Sequence, residues 1–238
     1  MRFPLRLTAD LGFNLALRSL RLQRNRPLIE SVTPDGNLRS RSPIVWIGGP
    51  EPLDVRETPR VVNSLAAAGR HVFLPTTGVL LRLRIHEFQP SPRLHLTICF
   101  DGAELAHDGR AGRQGAFRDA LESVRTARLS GFLLCAQLVL HASSECSEIE
   151  RLHGELRRLD FDGFLISPAS PVSQELRTSV VALRRRLLSR RWALLSSLLD
   201  SLQSPLTRAI SSQKSTWRPR EIASQLPQRS CEEGVQAP

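Results

Sequence analysis

The chain has 238 residues, a length that fits one large domain with extensions. Hydrophobic residues make up 41% of it, which is enough for a buried core and argues against disorder throughout. The formal net charge of +10 is concentrated in residues 1–26 and 173–220, a distribution that argues against a nucleic-acid enzyme with its positive field beside a central site.

The four cysteines form no C-x-x-C pair; they are Cys99, Cys135, Cys146 and Cys231. Their spacing indicates neither a structural zinc site nor a disulfide framework, and it favours reduced thiols. Residues 3–20 are interrupted by charged and polar side chains, so they contain no apolar stretch of the length that a leader or a membrane span requires. We therefore predict a cytoplasmic protein.

Residues 1–26 form the first predicted region, a basic amphipathic helical flank in which leucines predict a helix over 4–24. Short apolar segments then alternate with helical patterns. The predicted strands are 27–32, 44–48, 71–75, 94–100, 132–140 and 163–167, and the predicted helices between them are 55–68, 115–130 and 146–159. This alternation predicts an α/β domain with a parallel sheet, either open or closed.

Polar residues cluster at the carboxyl ends of the predicted strands, where parallel sheets and barrels bind their ligands. These residues are Gly49, Glu51, Thr76, Thr77, Asp101, His141 and Ser167. Turn formation explains the glycines, but it explains the acidic residues and the histidine less well. We expect a ligand site at this edge of the sheet.

Side-chain alternation predicts which face of two strands points into a barrel lumen. In 94–101 the even-numbered residues are apolar, whereas the odd-numbered face carries a histidine, a threonine, Cys99 and Asp101. In 134–141 one face carries Cys135 and His141. We expect the more polar faces to line the lumen, with Cys99 and Cys135 as buried, inert thiols on adjacent strands.

The C-terminal part is predicted to form a basic helical region over 173–210 and a polar, proline-rich, disordered tail over 211–238. One helix is expected over 177–203, packing on the domain through leucines. The leucines of its apolar face are Leu187, Leu188, Leu195, Leu198 and Leu199, and the arginines of its water-facing side are Arg184, Arg185, Arg190 and Arg191. Such a helix either closes the side of a barrel or binds an anionic surface.

Four motifs in order resemble those of radical S-adenosylmethionine (radical SAM) enzymes, over roughly residues 27–170. They are "GGPEPL" (48–53), "TTG" (76–78), "CFDGAELAHDGRAGRQGAF" (99–117) and "DGFLISPAS" (162–170). The similarity is closest to the branch that includes the hopanoid-biosynthesis adenosyl transferases. It implies a partial (β/α)6 parallel barrel of radical SAM type over 27–172, with helical N- and C-terminal flanks.

The resemblance also implies where S-adenosylmethionine would bind. The residues it assigns to cofactor binding are Gly48, Gly49, Glu51, Pro52, Thr77, Asp101 and His141. Pro50 stands where the motif has its second glycine, which removes one backbone N–H from this turn. His107 and Asp108 are interpreted as a loop pair of the family pattern, not as a catalytic dyad.

The sequence departs from the family at the loop after the first strand. Radical SAM enzymes carry C-x-x-x-C-x-x-C there, and its thiolates bind a four-iron, four-sulfur cluster. The corresponding residues of "GNLRSRSP" are Gly36, Ser40 and Pro43, none of which supplies a thiolate. The helix that the family has between this loop and the G-G-E-P strand is also missing from the pattern, because Pro43 directly precedes the second predicted strand.

Three hypotheses follow. The favoured one is a radical SAM-like protein without cluster or redox catalysis, which retains weak S-adenosylmethionine or partner binding. The second is an active enzyme with atypical cluster ligands such as Cys99, Cys135 or His141. The third is a membrane-surface or nucleic-acid module acting through residues 184–199, with weak contact to an anionic membrane favoured over nucleic acid. We assign no catalytic residue and no metal ligand.

Overall fold

The computed structural model describes residues 4–19, 27–35 and 40–213. Six strands form one sheet in the order of the sequence, and every neighbouring pair is parallel. The strands are β1 (Ile29–Val32), β2 (Ile44–Ile47), β3 (His71–Thr76), β4 (Leu94–Phe100), β5 (Leu133–Leu140) and β6 (Gly163–Pro168). The sheet curls into a half-barrel flanked by helices, which confirms the predicted partial barrel.

Helices connect most of the strands and flank the sheet at both ends of the chain. The α-helices are α1 (Leu5–Ser19), α2 (Thr58–Ala67), α3 (Leu81–Arg84), α4 (Glu104–Ala111), α5 (Ala116–Leu129), α6 (Cys146–Leu156), α7 (Gln174–Leu187) and α8 (Arg190–Gln213). Short 3₁₀ turns cover Pro52–Asp54, Ile85–Glu87 and Arg157–Leu159. In the described residues, none of these helices has the length and apolar character needed to cross a bilayer.

The sheet separates two apolar cores. On its outer side, the even-numbered residues of β4 belong to one apolar cluster with residues of α2, α5 and α6. The lumen cluster lies on its inner side and consists of Leu7, Leu11, Ile29, Ile44, Phe73, Cys135, Leu165, Trp192, Leu195 and Leu199. The predicted alternation is therefore confirmed for β4 and β5, since Leu96 and Leu134 face the outer core while Cys135 faces the lumen.

Helix α8 closes the open side of the half-barrel, because it packs against both edge strands, β6 and β1. The Trp192 indole enters the lumen so closely that a methyl group on Gly163 would lie 2.0 Å from it. Polar groups also cover the free edge of β6. The backbone N–H of Ile166 donates to Ser196 Oγ at 3.4 Å, and Arg184 Nε donates to the Ile166 carbonyl at 2.8 Å. An exposed sheet edge is thereby blocked against pairing with another chain.

Three predictions about the flanks need correction. The expected single helix over 177–203 is two helices, because Leu188 is extended (ψ 151°) and ends α7. Arg184 was expected to face water, but it is buried and pairs with Asp200. The turn between the helices lets both pack on the sheet. Helix α8 continues to Gln213, past the predicted boundary at 210.

Some predicted boundaries fall outside the described residues. Helix α1 is described to Ser19, so the remainder of the predicted helix over 4–24 lies in residues 20–26, which are not described. The rest of the predicted tail, residues 214–238, is also outside the described part of the chain.

Candidate functional site

The candidate site lies at the carboxyl ends of the strands, which form the mouth of the half-barrel. The chain leaves β2 through Gly48 and Gly49, and Gly49 has φ +123°, a value that favours glycine. A methyl group on Gly48 would lie 2.8 Å from Ser31 Oγ on the neighbouring strand. These two glycines therefore permit a tight exit from β2 beside β1.

Glu51 ties the loop after β2 to the loop after β3. Its Oε2 accepts a bond from the Thr77 backbone N–H at 2.8 Å and another from Thr77 Oγ1 at 2.7 Å. Its Oε1 accepts from the Leu53 N–H at 3.3 Å, which caps the 3₁₀ turn that begins at Pro52. Most of the accepting capacity of this carboxylate is therefore used inside the protein.

Burial raises the pKa of Glu51, and the hydrogen bonds from Thr77 and Leu53 act in the opposite direction. Pro50, the residue that interrupts the glycine pattern, is exposed. Pro52 is buried, and its carbonyl accepts a hydrogen bond from Thr58 Oγ1 at the start of α2. In this geometry Pro52 shapes the loop and has no N–H to offer a ligand.

Asp101 and His141 meet at the ends of β4 and β5. His141 Nε2 lies 2.8 Å from Asp101 Oδ1, and both side chains are partly exposed at the mouth. The sequence predicted both as strand-end site residues, and the sheet brings them together. An aspartate beside an imidazole can orient a histidine for binding or proton transfer.

A second layer of residues holds the backbone of Asp101. The Asp101 N–H donates to His107 Nδ1 at 3.1 Å, and Arg110 donates to the Asp101 carbonyl. Arg110 also reaches Ser143 Oγ at 3.2 Å in the loop after β5. Burial lowers the pKa of His107, which favours the neutral imidazole that can accept this bond.

The predicted loop pair His107 and Asp108 is wrong in one respect, because both residues lie in α4. Their side chains serve different partners. His107 is buried between Phe100 and Phe117, whereas the Asp108 carboxylate accepts from the N–H groups of Gly115 and Phe117 at 2.6 and 2.8 Å. Asp108 thus caps the start of α5. The interpretation that the pair is not a catalytic dyad agrees with these contacts.

A polar row crosses the lumen one level below the mouth. Cys99 Sγ lies 3.3 Å from Gln137 Oε1, and Gln137 Nε2 donates to Ser167 Oγ at 2.7 Å. Cys135 lies deeper, is fully buried, and has the pKa of its thiol raised by that burial. A buried thiol with a raised pKa is a poor nucleophile and a poor metal ligand.

A small pocket of about 170 Å³ adjoins His141 between the end of β5 and the start of α7. Its lining includes Ser144, Ser173 and Glu175. Pockets that enclose a drug-sized ligand have volumes of about 300–1,000 Å³. The pocket therefore has room for a fragment of a nucleoside cofactor but not for all of it.

The connection between β1 and β2 consists of residues 33–43, fewer than the dozen or more that a parallel crossover usually needs. Ser40 donates to Glu30 Oε2 at 2.7 Å, and Ser42 Oγ lies 3.3 Å from the same oxygen. Glu30 shares its face of β1 with Val32, which belongs to the outer core. The Ser40 hydroxyl is therefore directed to the outer side of the strand and not into the lumen.

A four-iron, four-sulfur cluster does not fit this connection. Ser40 is engaged by Glu30, Pro43 has no donor side chain, and Gly36 lies outside the described residues and has no side chain to coordinate iron. Across residues 4–19, 27–35 and 40–213, no group of three or more histidine, cysteine or acidic residues is placed to hold a metal ion.

Sequence reasoning missed the residues that position the site. Arg110 and His107 hold Asp101, and Gln137 joins Cys99 to Ser167. Gln137 lies two residues after Cys135 in β5, so the alternation of that strand was a signal for its place on the lumen face. The role of Arg110 could not be found from the sequence, because its contacts depend on how α4 folds back over the end of β4.

No protein-family model matches the chain. Among solved structures, SuiB from Streptococcus suis is similar at 12% identity and a TM-score of 0.53, over 73% of this chain and 51% of SuiB. SuiB bound to S-adenosylmethionine gives 11% identity and a TM-score of 0.54, over 73% and 49%. SuiB bound to its precursor peptide SuiA gives 13% and 0.53, over 81% and 51%.

These similarities show the fold, which is a partial parallel α/β barrel with flanking helices. The chain spans about half the length of the SuiB chains that it matches.

Proposed function

We propose that this chain is a radical SAM-like protein that has lost its iron–sulfur cluster and redox catalysis. The observation that carries the proposal is the β1–β2 connection, where Ser40 bonds to Glu30 on the outer side of the sheet. A cluster needs thiolates on one loop above the lumen, and the positions of this connection that correspond to the family motif supply none. Within the superfamily, we place the chain nearest the hopanoid-biosynthesis adenosyl transferase branch on its four motifs.

The alternative with atypical ligands is less well supported. Cys99 donates toward Gln137, and Cys135 is buried among apolar side chains with a raised thiol pKa. His141 is paired with Asp101. These three residues lie on two neighbouring strands at different depths, an arrangement that does not present three thiolates to one cluster.

We propose that any remaining binding of S-adenosylmethionine is weak. Glu51 is occupied by Thr77 and Leu53, and Asp101 is occupied by His141. A ligand at this mouth must displace these internal partners. Because the cluster iron that chelates the amino and carboxylate groups in the family would also be missing, the methionine end has no strong anchor.

The cluster proposal is tested by anaerobic reconstitution of the full chain with iron and sulfide. The measurements are iron content, visible absorption and release of 5′-deoxyadenosine after reduction with dithionite. We expect a colourless protein and no cleavage product. A stoichiometric brown cluster that survives gel filtration would overturn the proposal, and its loss in Cys99→Ala or Cys135→Ala would identify the replacement ligands.

The cofactor proposal is tested separately by calorimetric titration with S-adenosylmethionine. We expect little or no heat. A micromolar dissociation constant, equivalent to about 8 kcal/mol, would contradict weak binding and would show that the mouth has an anchor of its own. Asp101→Asn would then reveal whether the β4–β5 side of the mouth contributes.

For partners, we propose a weak contact with an anionic membrane surface rather than with nucleic acid. The exposed arginines Arg185, Arg190 and Arg191 on α7 and α8 support it. A contact of this kind weakens as salt screens the charges. Tight binding by these arginines that persisted at high salt would contradict it. A cytoplasmic location, with the basic surface toward the inner leaflet, is part of this proposal.

A further inference from the structure

Helix α1 is apolar on two opposite sides. Leu7 and Leu11 face inward and belong to the lumen cluster. The opposite side carries Leu5 and Phe13, with side chains 82% and 65% exposed, and the small residues Ala9 and Gly12 between them. An exposed apolar surface that is bordered by polar residues often marks an interaction site. The outward side, which we call the α1 outer face (Leu5, Ala9, Gly12 and Phe13), has the character of a contact surface.

The charges beside the α1 outer face are positive. Asp10 is the acidic residue of α1, and it is turned toward the sheet, where its Oδ2 lies 2.9 Å from His71 Nε2 and 2.7 Å from Arg93. Arg6 is exposed on α1, and Arg191 of α8 donates to Thr8 Oγ1 at 3.3 Å. The Asp10 carboxylate is 36% exposed but is paired with His71 and Arg93. With the exposed arginines, this pairing gives an apolar strip with a cationic border.

We propose that the α1 outer face docks on the surface of an anionic lipid bilayer. Leu5 and Phe13 would enter the boundary between headgroups and acyl chains, while Arg6, Arg190 and Arg191 would lie at the level of the lipid phosphates. This proposal stands independently of the cluster and of S-adenosylmethionine. It differs from a purely electrostatic contact of the C-terminal arginines, because the apolar side chains of α1 carry part of the affinity.

Two other occupants fit the surface less well. A second copy of the chain on a two-fold axis would bring the same arginines face to face, and like charges oppose that association. Nucleic acid would bond to the arginines but would gain nothing from Leu5 and Phe13, because phosphate contacts are polar. An anionic bilayer satisfies both the apolar strip and its cationic border.

The position of α1 determines the orientation that the molecule would have on the bilayer. Asp10 contacts His71 at the first residue of β3 and Arg93 just before β4, so α1 lies at the amino ends of the strands. The mouth with Glu51, Asp101 and His141 is at the other end. A bilayer-bound molecule therefore presents its mouth to the aqueous phase.

The test is co-sedimentation of the full chain with vesicles of phosphatidylcholine alone and with vesicles that also contain phosphatidylglycerol, at low and high salt. We expect binding to the anionic vesicles that weakens with salt. Leu5→Ser/Phe13→Ser should weaken it by on the order of tenfold, because two apolar side chains no longer enter the lipid. Arg190→Gln/Arg191→Gln should weaken it by a similar factor.

The matched control is Leu105→Ser, since Leu105 is a leucine on α4 that is 91% exposed and lies at the mouth end. It should bind vesicles as the unsubstituted chain does, and circular dichroism should show that all variants are folded. Unchanged binding by Leu5→Ser/Phe13→Ser would overturn the proposal, because the basic segments alone would then carry the affinity. The proposal would also be overturned if the unsubstituted chain formed a dimer that Leu5→Ser/Phe13→Ser abolished. Binding of the chain to DNA but not to vesicles would overturn it as well.

Discussion

The two ends of the half-barrel are built from different interactions. At the mouth, polar side chains satisfy one another, as Glu51 does with Thr77 and Asp101 does with His141. Beneath them, the lumen is filled by apolar side chains from the helices at the two ends of the chain, chiefly Leu7 of α1 and Trp192 of α8.

This difference separates stability from ligand chemistry. The apolar lumen and the outer core supply the free energy of folding, and the mouth residues contribute little of it because they are partly exposed. A chain of this kind can lose the residues of a cofactor site without losing its fold. The contrast predicts that substitutions in the lumen will destabilise the protein strongly and that substitutions at the mouth will not.

The largest effect is expected for Trp192→Ala. The indole is 1% exposed and fills the lumen against Gly163, so its removal should lower the free energy of unfolding by about 4 kcal/mol. Urea denaturation measures this change. Leu194→Ala, on the exposed side of the same helix, is the control. It should lower the free energy of unfolding by less than about 1 kcal/mol. Equal losses in the two variants would show that α8 does not plug the lumen.

A smaller loss is expected for Arg184→Met. Arg184 bonds to the Ile166 carbonyl and to both carboxylate oxygens of Asp200, so its loss leaves a buried edge carbonyl and a half-buried carboxylate without their partner. We expect a loss of about 3 kcal/mol in the free energy of unfolding. Arg185→Met, at the exposed neighbouring position, is the control. If Arg184→Met left the free energy of unfolding unchanged, water would have replaced the guanidinium at the sheet edge.

Mild acid should also destabilise the lumen. Burial lowers the pKa of His95 to about 3, whereas an unfolded histidine titrates near 6.5. As the pH falls below 6.5, the unfolded chain binds a proton at His95 and the folded chain does not. The contribution of the neutral, buried His95 to the free energy of unfolding is therefore complete above pH 6.5 and decreases as the pH falls toward 3. Between pH 7 and pH 5 the expected loss from His95 is about 2 kcal/mol.

Thermal or urea unfolding over this pH range measures the effect. His95→Leu removes the titrating group, so its stability should depend less steeply on pH. Burial also lowers the pKa of His71, His107 and His153, so the variant keeps part of the dependence. If the variant and the unsubstituted chain show the same slope, His95 is protonated inside the folded lumen.

The smallest effect is expected at the mouth, for Glu51→Gln. A glutamine oxygen can still accept from Thr77, but the amide NH₂ then faces the Leu53 N–H and leaves that donor unsatisfied. We expect a loss of about 1 kcal/mol and faster hydrogen exchange at Leu53. Glu57→Gln, an exposed glutamate before α2, is the control. A loss as large as that of Trp192→Ala would remove the distinction between the two ends.

The sequence allowed most of the sheet to be predicted because its strands have a simple physical signature. Each is a short apolar run bounded by turn residues, and in β4 the alternation of apolar and polar residues identified the lumen side correctly. The approach of Asp101 and His141 also followed, since both were placed at carboxyl ends of strands that proved to be neighbours.

The flanks were predicted less well because their structure depends on distant partners. The leucine pattern over 177–203 continues across Leu188, so it gave no sign of the turn between α7 and α8. Arg184 is the first of three consecutive arginines, a pattern that predicts a solvent-exposed helix surface. Its burial depends on contacts with Asp200 and with the free edge of β6. The residues next to Arg184 in the sequence do not indicate which strand forms that edge.

The contact between the two terminal helices has a consequence for the order in which the protein can fold during synthesis. Arg191 bonds to Thr8 across 183 positions of the chain, and Leu7 shares the lumen cluster with Trp192. Helix α1 is synthesised before α8, so it has no complete site to dock on until α8 has been made. The nascent chain therefore exposes both apolar sides of α1 and the free edge of β6 until a late stage, a situation in which chaperones protect slow-folding domains.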